Sequence, residues 1–432
     1  MSNYFIPTIS ASVAGASASV AGASASVADI TMADTNAGTD TGTKSHINLN
    51  PIFSTSNYVN PIIISKTLHK YLLDSKGRID NYPNEWDKLK KYTNPYEFIH
   101  SPLPGTKQSI CPLKPLSRSF YKMLELCKMF RLLADLPPIA CKTFHLAEGP
   151  GGFIEALVKL RNNPLDTYYG MTLLDETDYN VPGWKKSHHF LLQNPNVIIE
   201  TGLDKKGDLM NPINLLDCHA RFANSMDLIT ADGGFDFSSD FNNQESVSLK
   251  LVFCQIAFAV AMQKVGGTFI IKFFDTFTKL SVELVYLLSL LYEEVNFAKP
   301  NTSRHANSEK YIVCKKFRLH HQIGDLVQDF YKIMQNLKMG KELVGLFDFG
   351  LPYYFLNKIE ECNAIFGQQQ LENISMTINL IIEGHHSFKH HNDKLENIKK
   401  NNILKCSNWC QEHNLPFNKQ TRSTNIFLYS KT

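Results

Sequence analysis

The sequence predicts an α/β fold with a mostly parallel central sheet and an antiparallel edge strand, flanked by mainly helical extensions. Three observations carry this. Between Thr143 and Phe317, strand-like apolar runs alternate with helical stretches, the order that lays helices on both faces of a parallel sheet. The first run turns into a helix through Glu148-Gly149-Pro150-Gly151-Gly152-Phe153, a glycine-rich strand-to-helix turn that exposes backbone and a helix N-terminus to a ligand. The last two runs have no helix between them, so they are expected to pair antiparallel.

Taken in order, residues 1–45 read as a disordered low-complexity tail. The unit Ala-Ser-Ala-Ser-Val-Ala-Gly recurs from Ser10 to Val27, and no large apolar residue fills a coiled-coil seam. Residues 46–116 are polar with scattered aromatics and suit helices and loops. A helix is expected over 117–133, because Phe120, Met123, Leu124, Cys127 and Phe130 recur at three- and four-residue steps. Strands follow at 143–147, 168–173, 197–200, 228–232, 268–273, 294–298 and 311–315, with helices at 153–160, 246–263 and 280–292. Residues 318–432 form a helical extension without convincing strands.

A chain of 432 residues, 43 % hydrophobic, can bury a sizeable core, which excludes a wholly disordered protein. Its formal charge is +3, from 44 basic and 41 acidic residues; this neither demands nor forbids a nucleic-acid partner. Nine cysteines without tight spacing point to reduced thiols. No apolar run of membrane-spanning length is evident, since 284–291 is short and ends near Glu293 and Glu294. No secretory signal is recognisable, so the expectation is a soluble intracellular protein without a membrane partner.

In open α/β sheets ligands gather at the carboxyl ends of the strands. Gly149, Asp232 and Lys272 all fall there. Lys122 lies on the helix before the first strand. Glu309 opens the last strand and reaches the same rim only if that strand runs antiparallel. Each also has a plain reading: Asp232 as a helix cap, Lys272 and Lys122 as solvated lysines, Glu309 as a partner of Arg304 or Lys310. Two lysines and two acids in one cleft would shift one another's protonation.

The turn from Gly149 to Phe153, Ala231-Asp232-Gly233-Gly234-Phe235, Ile271-Lys272-Phe273-Phe274-Asp275 and the run from Lys299 to Cys314 resemble the FtsJ-type ribose methyltransferases. Within that superfamily the likeness is greatest to eukaryotic and viral enzymes that methylate the mRNA cap at a ribose 2′-hydroxyl. It covers residues 117–317. The resemblance implies a Rossmann-like methyltransferase fold, S-adenosyl-L-methionine as donor, and a catalytic set of Lys122, Asp232, Lys272 and Glu309. It places Glu148, Gly149, Pro150, Gly151, Gly152, Phe153, Asp208 and Asp232 at the donor. Glu148 departs from the small residue common at its position; it reaches the donor's amino group or caps the next helix, and the sequence leaves both open.

Lys299, Ser303 and Arg304 are candidate RNA contacts, since phosphate contacts give affinity without sequence choice. Lys272 would accept or steer the hydroxyl proton, with Asp232 orienting it and Glu309 pairing with Lys122. The expected partner is RNA, above all a capped mRNA 5′ end, with capping or transcription machinery in attendance. The alternatives are a ribosomal or transfer RNA methyltransferase and an inactive RNA-binding scaffold. The location is expected to be nucleus or cytoplasm, or a virion if the protein is viral. No metal is expected; Cys406, Cys410 and His413 share a helical face but lack the paired spacing of a zinc site.

Overall fold

The computed structural model describes residues 2–6, 52–54, 62–175, 177, 178, 181, 183–234, 244–318, 323–386 and 388–418. Two short strands come first, β1 (Ser2–Ile6) and β2 (Ile52–Ser54), then helices α1 (Lys66–Gly77), α2 (Pro83–Thr93), α3 (Ser119–Met129) and α4 (Leu132–Asp135). The core unit continues with β3 (Lys142–Leu146), α5 (Gly152–Arg161), β4 (Thr167–Met171), α6 (His188–Gln193), β5 (Val197–Glu200) and α7 (Pro212–Phe222). It is completed by β6 (Met226–Ala231), α8 (Gln244–Met262), β7 (Gln263–Phe273), α9 (Lys279–Leu291), β8 (Tyr292–Lys299) and β9 (Lys310–Phe317). The chain then adds α10 (Ile323–Lys338), β10 (Glu342–Gly345), α11 (Tyr353–His386) and α12 (Phe388–Glu412).

Eight strands form one sheet in the order β1-β8-β9-β7-β6-β3-β4-β5. Strands β3 to β7 run parallel, and β9 inserts antiparallel between β7 and β8. Because β9 runs against its neighbours, its first residues lie at the rim where β3, β6 and β7 end. Phe273 pairs with Lys310 and Lys272 with Tyr311, which brings the two segments to that rim together.

Alternation along β9 divides the core in two. Ile312 and Cys314 join Phe269, Ile271 and Phe297 under α8, α9 and α10. Tyr311 and Val313 join Ile270, Leu228 and Ala298 under α3, α5 and the end of α12. Both faces of the sheet are therefore dry, as the near-continuous apolar strands require.

Four expectations need correction. Ser2–Ile6 is the edge strand of the sheet, paired with β8, although a disordered tail was expected over 1–45; the remainder of that tail and its repeat lie outside the described residues. The C-terminal extension is not strand-free, since β10 pairs with β2. And α8, at 19 residues, is long and apolar enough to cross a membrane, but 72 % of its apolar window is buried inside the protein, so it serves as a core helix. The expected helix over 117–133 breaks at Arg131, which adopts a left-handed φ of 52°.

Candidate active site

Strand β3 leads into the glycine turn. Gly151 adopts φ 106° and caps α5, a conformation that a side chain would strain. A Cβ on Gly149 would sit 2.5 Å from the Gly183 carbonyl oxygen, and one on Gly152 would strike the hydroxyls of Ser117 and Ser119. These glycines are thus demanded by neighbouring chain segments as well as by any ligand. Trp184 packs over Gly151 and Gly170, closing the turn from the β4 side.

Glu148 answers the question its sequence left open with one oxygen and keeps the other free. Oε1 accepts from the Phe153 backbone N–H at 2.6 Å, capping α5 as an acid does at a helix N-terminus. Oε2 is buried without a partner. Burial, and then the Asp232 charge, push the Glu148 carboxyl well above the usual range, against the Phe153 N–H and the two lysines. An acceptor left unsatisfied in the interior is costly. Here it leaves one polar atom open beside the glycine turn.

The four candidate catalytic residues converge. Lys122 Nζ lies 2.7 Å from Glu309 Oε1, and Lys272 Nζ lies 3.4 Å from Asp232 Oδ1 while donating to the Asp232 carbonyl oxygen at 2.7 Å. Tyr311 links the two pairs: its hydroxyl donates to Asp232 Oδ1 at 2.8 Å and accepts from Lys122 Nζ at 3.4 Å. Burial opposes ionisation of Glu309, yet Lys122, then Lys272 and Arg118, hold its carboxyl far below the usual range. The result is an alternating set of two lysines and two acids on the α3 face of the sheet. Lys122 is 4 % exposed, so its solvated reading does not apply, and Glu309 pairs with Lys122 while Arg304 pairs with Glu97.

Supporting residues that the sequence did not single out fix the segment before β9. Glu125, one turn along α3 from Lys122, accepts from the backbone N–H groups of Asn301 and Thr302 at 2.7 and 2.8 Å and from the Thr302 hydroxyl at 2.7 Å. Glu97 pairs with Arg304 through two hydrogen bonds, 3.0 and 2.7 Å. Gln255 Oε1 accepts from Gly233 N–H at 3.2 Å and steadies the turn after Asp232. Only tertiary proximity reveals these roles.

The expected RNA contacts are turned inward. Lys299 is buried, and its ammonium donates to the Asn307 carbonyl and side chain at 2.6 and 3.1 Å and to the Glu309 carbonyl at 2.7 Å. Burial pushes it down to about 7 even though Glu309 pulls it up. Ser303 donates to Glu309 Oε1 at 2.5 Å, and Arg304 is committed to Glu97. All three brace the Glu309 loop: the Lys299 and Ser303 donors are engaged within it, and Arg304 holds Glu97 through Nε and Nη2. Asp208 sits apart from the four: its Oδ1 accepts from Met210 N–H at 2.8 Å, beside Gly207, which packs against the Thr172 backbone past the end of β4. Cys406 and Cys410 are buried core thiols, and His413 stacks on Trp409 at 4.1 Å.

A parallel sheet with β9 inserted antiparallel, a glycine turn after its first core strand and charged residues along one rim define a Rossmann-like methyltransferase domain. The model of the FtsJ-like methyltransferases matches residues 115–317, the span that carries the glycine turn and the four converging residues. It is 30 % identical over 325 residues, 69 % of its length, to cap-specific mRNA (nucleoside-2′-O-)-methyltransferase 2 of Danio rerio, covering 40 % of that protein. It is 38 % identical over 199 residues to cap-specific mRNA (nucleoside-2′-O-)-methyltransferase 1 of Pongo abelii, 45 % of this chain and 23 % of that one. An inactive cap-specific mRNA (nucleoside-2′-O-)-methyltransferase 1B of Caenorhabditis briggsae is 31 % identical over 197 residues, 44 % of this chain and 22 % of that one. The chain thus spans well under half the length of these relatives, and likeness alone does not separate active from inactive members.

Proposed function

We propose that the protein transfers a methyl group from S-adenosyl-L-methionine to a ribose 2′-hydroxyl of RNA, at the first or second transcribed nucleotide of a capped mRNA. The observation that carries this is the Lys122–Glu309 and Lys272–Asp232 pair of ion pairs, joined by Tyr311 beside the glycine turn. The relatives named for cap 2′-O-methylation favour capped mRNA over ribosomal or transfer RNA.

The donor would be held by Gly149 to Phe153 and by the free Oε2 of Glu148, whose position suits an ammonium group. Asp208 stands where the other end would lie. When bound, the donor supplies a methyl group on a positively charged sulfur. Displacement at that carbon needs an oxygen nucleophile in line and a route for its proton. Lys272 Nζ accepts or steers the 2′-hydroxyl proton, and Asp232 fixes its position through two contacts. Lys122, held by Glu309, stabilises negative charge growing on the oxygen. Positioning two substrates in one cleft contributes on the order of 7–11 kcal/mol in favourable cases.

The test uses labelled donor with matched capped and uncapped RNAs, followed by digestion to nucleosides. Label on the cap-proximal ribose, lost by at least two orders of magnitude in Lys272→Ala with donor binding retained, is the expected result. Label on internal riboses regardless of the cap would instead indicate ribosomal or transfer RNA as substrate. Donor binding with no transfer to any RNA would favour a scaffold.

A further inference from the structure

One face of α3 carries a charged residue at each turn, Arg118, Lys122 and Glu125, spaced so that their side chains stand in a row. Two of the three are engaged with the segment around the start of β9. Glu125 holds the backbone of Asn301 and Thr302, and Lys122 pairs with Glu309. Arg118, at the N-terminal end of the row, is half-buried, and among the described residues no carboxylate or carbonyl accepts a hydrogen bond from its guanidinium. Its neighbours in sequence, Ser117 and Ser119, turn their hydroxyls to each other and to Gly152, so it is serines that meet the glycine turn. Arg118 acts on the catalytic side instead. Against burial, the Glu309 carboxyl is held low by Lys122, Lys272 and Arg118. Burial first, then Arg118 among other cations, pushes His100 down to about 4 against Glu97, so at neutral pH that imidazole adds no charge.

The other cations of the site close in pairs: Lys122 with Glu309, Lys272 with Asp232 and Arg304 with Glu97. Arg118 is left over. A cation at a helix N-terminus stands against the helix dipole, and a lysine one turn away adds repulsion. The position therefore costs stability until an anion arrives. Beside a ribose hydroxyl that anion is a phosphate of the same strand, which a guanidinium fork takes with two parallel hydrogen bonds. One helical turn, about 5.4 Å along the axis, separates Arg118 from Lys122, short enough for one nucleotide to touch both. We propose that Arg118 grips a phosphate flanking the ribose that enters the catalytic cleft. The inference rests on the RNA substrate proposed above, and it names a residue that anchors the strand where Lys299, Ser303 and Arg304 brace the loop.

The experiment compares wild type, Arg118→Gln and Arg118→Lys in three measurements: RNA affinity against salt concentration, donor affinity, and thermal unfolding without ligand. Loss of one phosphate contact on a single strand lowers the slope of log affinity against log salt by about 0.7. That decrease is expected in Arg118→Gln, with donor affinity unchanged. Arg118→Lys should restore the slope while binding RNA more weakly than wild type, because a point charge lacks the fork. Arg118→Gln should melt no lower than wild type, since no partner is lost and the charge opposing the dipole is gone.

An unchanged salt slope in folded Arg118→Gln would overturn the proposal. Weaker donor binding with the slope intact would overturn it too, and would give the guanidinium to the donor's carboxylate. A lower melting temperature with both affinities intact would make the arginine structural and equally remove it. Should Arg118→Gln fail to fold, Arg118→Lys decides: weaker RNA binding at the wild-type slope upholds the contact, and RNA affinity equal to wild type removes it. Binding and melting are read without methyl transfer. A lowered slope with no transfer therefore upholds the phosphate contact while the proposed activity falls, and cap methylation with an unchanged slope does the reverse.

Discussion

Tyr311 contributes one hydroxyl and no charge, yet it couples Asp232 to Lys122. Tyr311→Phe would leave Asp232 short of one donor in a buried setting, at about 1–3 kcal/mol. The expected outcome is a tenfold to hundredfold fall in turnover with donor affinity nearly unchanged, checked by separating kcat from the dissociation constant for the donor. A tyrosine in the apolar run Tyr311-Ile312-Val313 reads as core in the sequence, and its ring is indeed core; only the hydroxyl reaches the rim. The convergence of Asp232, Lys272 and Glu309 on one rim was legible because they end or open strands, where side chains meet ligands. That Lys299, Ser303 and Arg304 turn inward was not legible, for the complementary reason. Polar residues in a loop look solvent-bound until Glu97, Asn307 and Glu309 are seen to claim them.

Helix α3 does two jobs three residues apart: Lys122 enters the cleft and Glu125 ties down the segment ahead of β9. Burial pushes the Glu125 carboxyl up to about 7, against the donors from Thr302 and Asn301. Between its ordinary value of 4.5 and about 7 the folded protein holds a proton that the unfolded chain has released. Stability from this group is therefore full below 4.5 and is lost as pH rises through 7. Melting temperature should fall between pH 5 and 8, and Glu125→Gln should flatten that dependence in thermal scans. At this scale the parallel strands and the antiparallel β9 were legible, because apolar run length and the missing helix between β8 and β9 are local signals. Strands β1, β2 and β10 were not. Five, three and four residues long, they carry too little pattern and exist through distant partners.

The two extensions meet around α3. Glu97, from the N-terminal extension, grips Arg304; Cys406 of α12 donates to the Pro95 carbonyl at 3.3 Å, and Trp409 packs edge-on against Tyr121 at 5.9 Å. The extensions thus act as a clamp on the catalytic helix and its facing loop, which their composition alone did not disclose. Removing one partner of a buried pair costs about 3–5 kcal/mol, and less where one side chain keeps contact with water, as Arg304 does at 28 % side-chain exposure. Glu97→Gln should accordingly lower both the melting temperature and turnover, with hydrogen exchange rising first in residues 299–309. Arg304→Lys should recover only part of the loss, because lysine cannot reproduce the two-pronged bond.

Strand β1 gives the edge of this sheet a history as well as a shape. Its five residues are synthesised long before the strand that receives them, β8, with Ser2 registering against Lys299. Until then the N-terminal segment has no place to dock, and after β8 forms its outer edge stays open to any other extended chain. A strand that precedes all the others of this sheet in the chain thus waits for one of the last to be made, and that interval is when a newly made copy is most exposed to pairing with its neighbour.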